Sequence, residues 1–195
     1  LLSGRLFKDI LLKNGDKNFI EKNAHVIGVE KINKILHQEA NRDVLVSLQF
    51  TDDHTNNQNK KLLLELTSYI NNNKEFNFFL RDHPRFNQEV ILDHLYQQEH
   101  VFIAPESLYD CFKKCSVHLT SYSTTTFECA LYGIPTVFLN SLEDDFNMFV
   151  SDYYVRKNSI SFIFNHYKQE SLFVRNWVEG YYSPFEEKKF ISLLQ

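Results

Sequence analysis

From His25 onward, short apolar runs alternate with polar stretches in which the apolar residues recur three and four positions apart. This is the pattern of repeated strand–helix units around a parallel sheet. Ala24 to Val29 reads as a short strand, followed by a helix from Lys31 to His37. Val44 to Phe50 is a stronger strand. Asp52, Asp53 and Thr55 offer caps for a helix over Asn57 to Ile70, with Leu62, Leu63, Leu66 and Ile70 on one face and Asn71 to Asn73 ending it. Phe76 to Leu80 predicts a strand that delivers Arg81, Asp82, His83, Pro84 and Arg85 to its carboxyl end. A helix over Asn87 to Gln98 and a strand over Val101 to Ala104 come next, with Pro105 turning the chain and Ser107 capping a helix through Cys115. Val117 to Leu119 is a strand, and Thr120 to Thr126 is rich in hydroxyls. A helix from Thr125 to Tyr132 follows, stopped by Gly133. Ile134 to Leu139 returns to strand. An acidic loop, a strand candidate at Ile160 to Phe164 and helical material over 165–195 complete the chain. Residues 1–22 read as a leading helix and linker.

The expected fold is therefore α/β, a Rossmann-like parallel sheet flanked by helices, as one domain over 1–195. The length of 195 residues fits one folded unit. Hydrophobic residues make up 43% and charged residues 24%, the balance of a globular chain rather than a disordered one. With 18 Phe and 10 Tyr against 5 Gly and 4 Pro, there are large side chains to bury and few flexible joints. A net charge of -4 without a dense Lys/Arg block gives no footprint for nucleic acid, so an anionic ligand must be held locally.

Cys111, Cys115 and Cys129 are odd in number and lack paired-motif spacing, which predicts a reducing, cytoplasmic setting and neither disulfides nor a zinc site. No apolar run reaches the roughly 20 residues of a membrane span, and no signal peptide is visible. The chain opens on Leu1 and its only methionine is Met148, which predicts a start inside a longer protein.

Ligands of open parallel α/β sheets bind beyond the carboxyl ends of the strands. Three polar clusters fall there. In the first, Ser121, Tyr122, Ser123, Thr124, Thr125, Thr126, Phe127 and Glu128 bring hydroxyls and backbone N–H groups to a helix start, suited to phosphate. Glu128, one turn in, would offer a carboxylate to ribose hydroxyls. The same spacing also makes a capping box, with Thr125 as cap and Glu128 three residues on, and the two readings are compatible. In the second, His83 precedes Pro84, whose ring alone can account for a structural turn; beside the first cluster, a ligand role is favoured. The third, Ser47 to Thr55, contains two adjacent Asp residues, which read as helix caps rather than a metal site. His25, His37, His54, His94, His100, His118 and His166 lack such context and read as surface or core.

The continuation Cys129, Ala130, Leu131, Tyr132, Gly133, Ile134, Pro135, Thr136, Val137, Phe138 resembles the donor-binding domain of GT-B glycosyltransferases, where a Ser/Thr-rich turn leads to a Glu and then Gly-x-Pro and a strand. The resemblance implies that Glu128 binds the nucleotide ribose and that Ser123, Thr124 and Thr125 contact donor phosphate, with Ser121 in the same turn. His83-Pro84-Arg85 resembles the His-Pro motif of bacterial capsule and teichoic-acid polymerases and polysialyltransferases. It implies a phosphate-binding, leaving-group-stabilising His83 with Arg85 as a second cation. That family often has Lys before His-Pro, where this chain has Arg81 and Asp82. Val101 to Leu108 resembles the segment that lines the base, through the turn at Pro105.

The resemblance implies transfer of a sugar or sugar-like unit from a CMP-, CDP- or UDP-linked donor to a cell-surface glycan. It implies no cofactor and no obligatory metal, and it places the acceptor base in a missing domain. The setting would be cytoplasmic, at the inner face of the membrane through segments outside this chain. A nonhydrolysing UDP-sugar 2-epimerase shares this fold and its ribose-binding Glu. A noncatalytic nucleotide-binding or receiver-like module on a similar sheet explains less: Asp52 and Asp53 could serve a receiver's acidic pocket, but the Lys it needs after a later strand is not evident.

Overall fold

The computed structural model describes residues 2–28, 35–85, 89–139 and 158–194. Five strands alternate with helices in the order α1 (Arg5–Asn14), α2 (Lys17–Asn23), β1 (Asp43–Ser47), α3 (Asn56–Asn71), β2 (Asn77–Arg81), α4 (Asp93–Tyr96), β3 (Val101–Ile103), α5 (Leu108–Lys114), β4 (Val117–Thr120), α6 (Thr125–Leu131), β5 (Thr136–Phe138), α7 (Ile160–Asn165), α8 (Tyr167–Val178) and α9 (Glu187–Ser192). Every strand pair is parallel and the order across the sheet is β3-β2-β1-β4-β5. The chain thus winds outward from β1 in one direction and from β4 in the other. Between those two strands lies the topological switch point, beyond whose carboxyl ends open parallel sheets of this kind take their ligands.

Alternation along the strands covers both faces of the sheet. Val44 and Val46 of β1 and Phe78 and Leu80 of β2 join Leu62, Leu66 and Ile70 of α3, with Ile160 and Ile163 of α7, in one core. Leu45 and Phe79 face the other way, against Cys111, Phe112, Cys115, Cys129 and Ile134. The three cysteines are buried there as small apolar groups, and burial pushes all three thiols up. A third cluster unites Phe127 and Phe138 with Val174, Val178 and Tyr181. Phe7 of α1 lies 5.4 Å from the Phe127 ring and 5.1 Å from that of Tyr181, so the leading helix is docked on the domain.

α3 begins with a complete capping box, Thr55 with Gln58. Of the three caps proposed for it, Thr55 is the one used.

Several expected elements differ. Of the strand expected at Ala24 to Val29, the described part, 24–28, is not a strand: Val26 makes an isolated bridge to Leu2, and Gly28 turns the chain at φ 75. The helix expected over Lys31 to His37 lies mostly outside the described residues, and the part described is irregular. The helix expected over Asn87 to Gln98 begins outside the described residues, and over 89–98 it is confined to Asp93–Tyr96, consistent with the stiff β-branched pair Val90 and Ile91 before it. Ile160 to Phe164 is a helix, not a strand. Ile160, Phe162 and Phe164 mimic a period of two, but the buried pair is Ile160 and Ile163, and the Ser159 hydroxyl caps the turn by accepting from the Phe162 N–H. The acidic loop after Leu139 falls largely outside the described residues.

Gly133 ends α6 at φ 73, and a Cβ there would stand 2.5 Å from the Ser171 hydroxyl oxygen and 3.3 Å from Ile35. Gly133→Ala is expected to cost about 1–3 kcal/mol, combining left-handed strain with the displacement of Ser171. An unchanged urea midpoint in the variant would speak against this.

Candidate functional site

Loops from four strands meet at the carboxyl edge of the sheet. The chain leaving β1 makes a turn at 51–54, with the His54 N–H donating to the Thr51 carbonyl. Asp53 in this turn forms an ion pair with Arg85, 2.7 Å from the guanidinium. Both side chains are largely exposed, so the pair contributes little stability and can yield to a phosphate. Asp53 is therefore the partner of Arg85 and not the cap of α3.

His83 stands beside this pair. Its Nδ1 accepts from the Arg85 backbone N–H at 3.1 Å. That bond fixes the neutral tautomer, leaving Nε2–H as a donor. Burial chiefly, and then the charge of Arg85, lower the His83 pKa. The ring thus offers a neutral hydrogen-bond donor near neutral pH, and Arg85 supplies the charge.

The turn after β4 carries the hydroxyls. The N-cap of α6 is Thr124 rather than Thr125, and no side-chain cap bond is made to it, so the expected capping box is absent. The Ser123 hydroxyl does the work, accepting from the Thr125 N–H at 3.2 Å and donating to the Thr125 hydroxyl at 3.1 Å. The expectation of unpaired N–H groups is also corrected. Those of Thr126 and Phe127 go to the carbonyls of Ser123 and Thr124, and that of Ser123 to the Thr120 hydroxyl. An anion placed at this turn would therefore meet side-chain hydroxyls before backbone N–H groups.

Three polar atoms here are buried without a hydrogen-bond partner among the described residues: Ser121 Oγ, Thr126 Oγ1 and Glu128 Oε2. Burial also raises the Glu128 pKa. A half-buried carboxylate with an orphaned oxygen is costly unless a ligand supplies the donor. Tyr182, from the segment after α8, lies close enough to Glu128 for its own phenol to be pushed up to about 12, chiefly by burial and then by that carboxylate.

At the far side, Arg81 Nη1 donates to the carbonyls of Pro105 and Glu106 at 3.1 and 2.7 Å. The Cys111 thiol donates to the same Pro105 carbonyl at 3.2 Å. Arg81 is thus a staple between β2 and the turn after β3. Pro105 shapes that turn, and its carbonyl is already engaged.

Two residues of this site escaped the sequence reading. Tyr122 stands in the hydroxyl cluster with no role of its own in the sequence, and His54 reads as surface or core. The Tyr122 phenol hydrogen-bonds His54 Nε2 across the switch point. The only signal for this was position, since both follow strands that end at the same crevice.

This architecture is a Rossmann-like α/β fold, similar to that of GT-B-type structures. Its particular likeness is to the wall teichoic acid polymerase TagF, with a TM-score of 0.50 and 14% identity over 100% of this chain and 51% of that one. The UDP-GlcNAc 2-epimerase of Methanocaldococcus jannaschii matches at a TM-score of 0.47, 12% identity and 100% and 54% coverage. MnaA of S. aureus, solved with UDP, matches at 0.46 and 11%, with 98% and 52% covered. This chain spans about half the length of each. No family model matches the sequence, and no curated protein matches it either. Among the described residues no helix is long and apolar enough to cross a membrane.

Proposed function

We propose that this chain is the donor-binding half of a glycosyltransferase, moving a sugar or sugar-like unit from a nucleotide-activated donor to a cell-surface glycan. The observation that carries the reading is Glu128: a half-buried carboxylate with an unpartnered oxygen, one turn beyond a hydroxyl cluster in a GT-B-type fold. Two ribose hydroxyls would satisfy it. The donor phosphate would lie in the crevice, bonded by the hydroxyls of Ser123, Thr124 and Thr125, by His83 Nε2–H and by Arg85 after it releases Asp53. Ser121 lies beneath, and the turn at Pro105 would flank the base.

In the transfer step, the bond between sugar and phosphate breaks and negative charge gathers on the leaving phosphate. A neutral imidazole donor and a guanidinium stabilise that charge without delivering a proton. The base that takes the acceptor's proton would come from the other half of the enzyme, so this half binds donor but does not turn over alone.

The test is a thermal-shift panel of CMP, CDP, UDP and GDP against wild type and Glu128→Ala. One pyrimidine nucleotide at about a hundred times its Kd should raise Tm by about 5–10 °C, and the variant should lose most of that shift. A panel in which no nucleotide moves Tm, or moves both proteins equally, contradicts the reading.

A further inference from the structure

The switch-point crevice lies between the loop after β1 and the turn after β4, and a directed chain of hydrogen bonds joins these two segments. It begins at the Tyr122 phenol, bonded to His54 Nε2, with the two rings edge to face at 5.9 Å between centroids. His54 Nδ1 lies 3.3 Å from Asn59 Oδ1, and Asn59 Nδ2 donates to the Thr51 carbonyl at 3.4 Å.

The direction follows from the last link. A carbonyl only accepts, so the Asn59 amide must turn its NH2 toward Thr51 and its oxygen toward His54. His54 Nδ1 then carries the proton and Nε2 is left as the acceptor of the Tyr122 hydroxyl. Asn59 is buried at 3% exposure near the start of the sixteen-residue α3, so the chain is anchored in the body of the domain. Linked donors of this kind polarise one another and hold a geometry more firmly than isolated bonds.

What this chain fixes is the phosphate machinery. His54 is the immediate neighbour of Asp53, which holds Arg85, and His83 feels the charges of Arg85 and Asp53. Tyr122 is the immediate neighbour of Ser121 and Ser123. One hydrogen bond therefore sets the spacing between the cationic wall and the hydroxyl wall.

We propose that His54 and Tyr122 are a positioning pair that clasps the two walls of the switch-point crevice and so places the groups that bind the donor phosphate. The proposal rests on the donor-binding reading above. His54 acts through Tyr122 and is not a catalytic residue.

A rescue series tests it. In His54→Gln the side-chain amide reaches the Nε2 position and can still accept from Tyr122, whereas in His54→Asn it reaches only the Nδ1 position. The probe is whichever of CMP, CDP, UDP and GDP stabilises wild type most, titrated calorimetrically, with Tm of each unliganded variant recorded. His54→Asn and Tyr122→Phe should each weaken binding about tenfold, the worth of one well-formed bond, and His54→Gln should stay within about threefold of wild type. Equal affinities for His54→Gln and His54→Asn in folded protein overturn the proposal.

Imidazole nitrogen NMR of unliganded wild type and Tyr122→Phe, with His54→Gln to assign the signal, reads the pair without nucleotide. An Nδ1-protonated ring whose Nε2 signal moves in Tyr122→Phe is expected; an Nε2-protonated ring overturns the pair alone. Failure of all four nucleotides to bind wild type overturns the donor reading, and with it the positioning role.

Discussion

Replacing His118 by alanine is expected to lower the unfolding free energy by about 3–5 kcal/mol at neutral pH, which urea denaturation would read directly. His118 lies in β4 with no exposed surface. Its Nε2 bonds the Ser47 hydroxyl of β1 at 2.8 Å, and its Nδ1 bonds the Thr136 hydroxyl of β5 at 3.0 Å. The Thr120 hydroxyl extends this line, donating to the Ser47 carbonyl at 3.0 Å. Alanine would leave a cavity between three strands and orphan two buried hydroxyls.

The pH dependence has a definite sign. Burial pushes the His118 pKa from 6.5 down to about 3, so the folded ring stays neutral while the unfolded one takes a proton. The contribution is complete above about pH 6.5 and is lost as pH falls toward 3, at no more than about 1.4 kcal/mol per pH unit. The gap between wild type and His118→Ala should therefore narrow by about 2 kcal/mol between pH 7 and pH 5. An equal gap at both pH values would place the ring's protonation elsewhere.

The parallel sheet was legible because its strands are short apolar runs spaced by helical patterns: β1, β2, β3, β4 and β5 all stand within a few residues of where the sequence puts them. The failures have local causes. Ile160 to Phe164 satisfies both a two-residue and a three-residue period, and only the Ser159 cap and the facing core decide between them. The described part of the Ala24 to Val29 run, 24–28, is apolar enough for a strand but meets isolated segments, Leu2 on one side and Glu186 on the other, and not a strand of the sheet.

In the site, His83 and Arg85 could be placed because a strand ends just before them, and they are brought together with the loop after β1. The role of Asp53 was not visible, since a helix-capping Asp and an ion-paired Asp look alike in sequence. His54 was missed because its meaning lies in Asn59 and Tyr122, one in the next helix and the other 68 residues away, a relation no local pattern encodes. The hydroxyl turn was recognised, but its N–H groups are largely closed on Ser123 and Thr124, a detail that depends on which residue becomes the cap.

Glu128→Ala is expected to weaken nucleotide binding by about 2–3 kcal/mol, roughly 30- to 150-fold, the worth of two charge-assisted bonds to ribose. The unliganded protein should not suffer in proportion. Because burial raises the Glu128 pKa, the folded state holds this proton more tightly than the unfolded state. Stability from this group is therefore greatest at low pH and declines as pH rises through the interval above the ordinary carboxylate value. At neutral pH the carboxylate is a net cost to the empty fold, and alanine removes it. Binding has the opposite trend: it should weaken in acid, as the protonated carboxyl loses acceptor capacity for the sugar.

Calorimetric titration of the stabilising nucleotide and its 2′,3′-dideoxy form, each against wild type and Glu128→Ala, joins the residue to the ribose in one measurement. Loss of the hydroxyls should weaken binding to wild type by roughly 30- to 150-fold and to the variant hardly at all. Equal losses in the two proteins, or none in either, would mean that Glu128 does not hold the ribose and that the crevice is not read correctly.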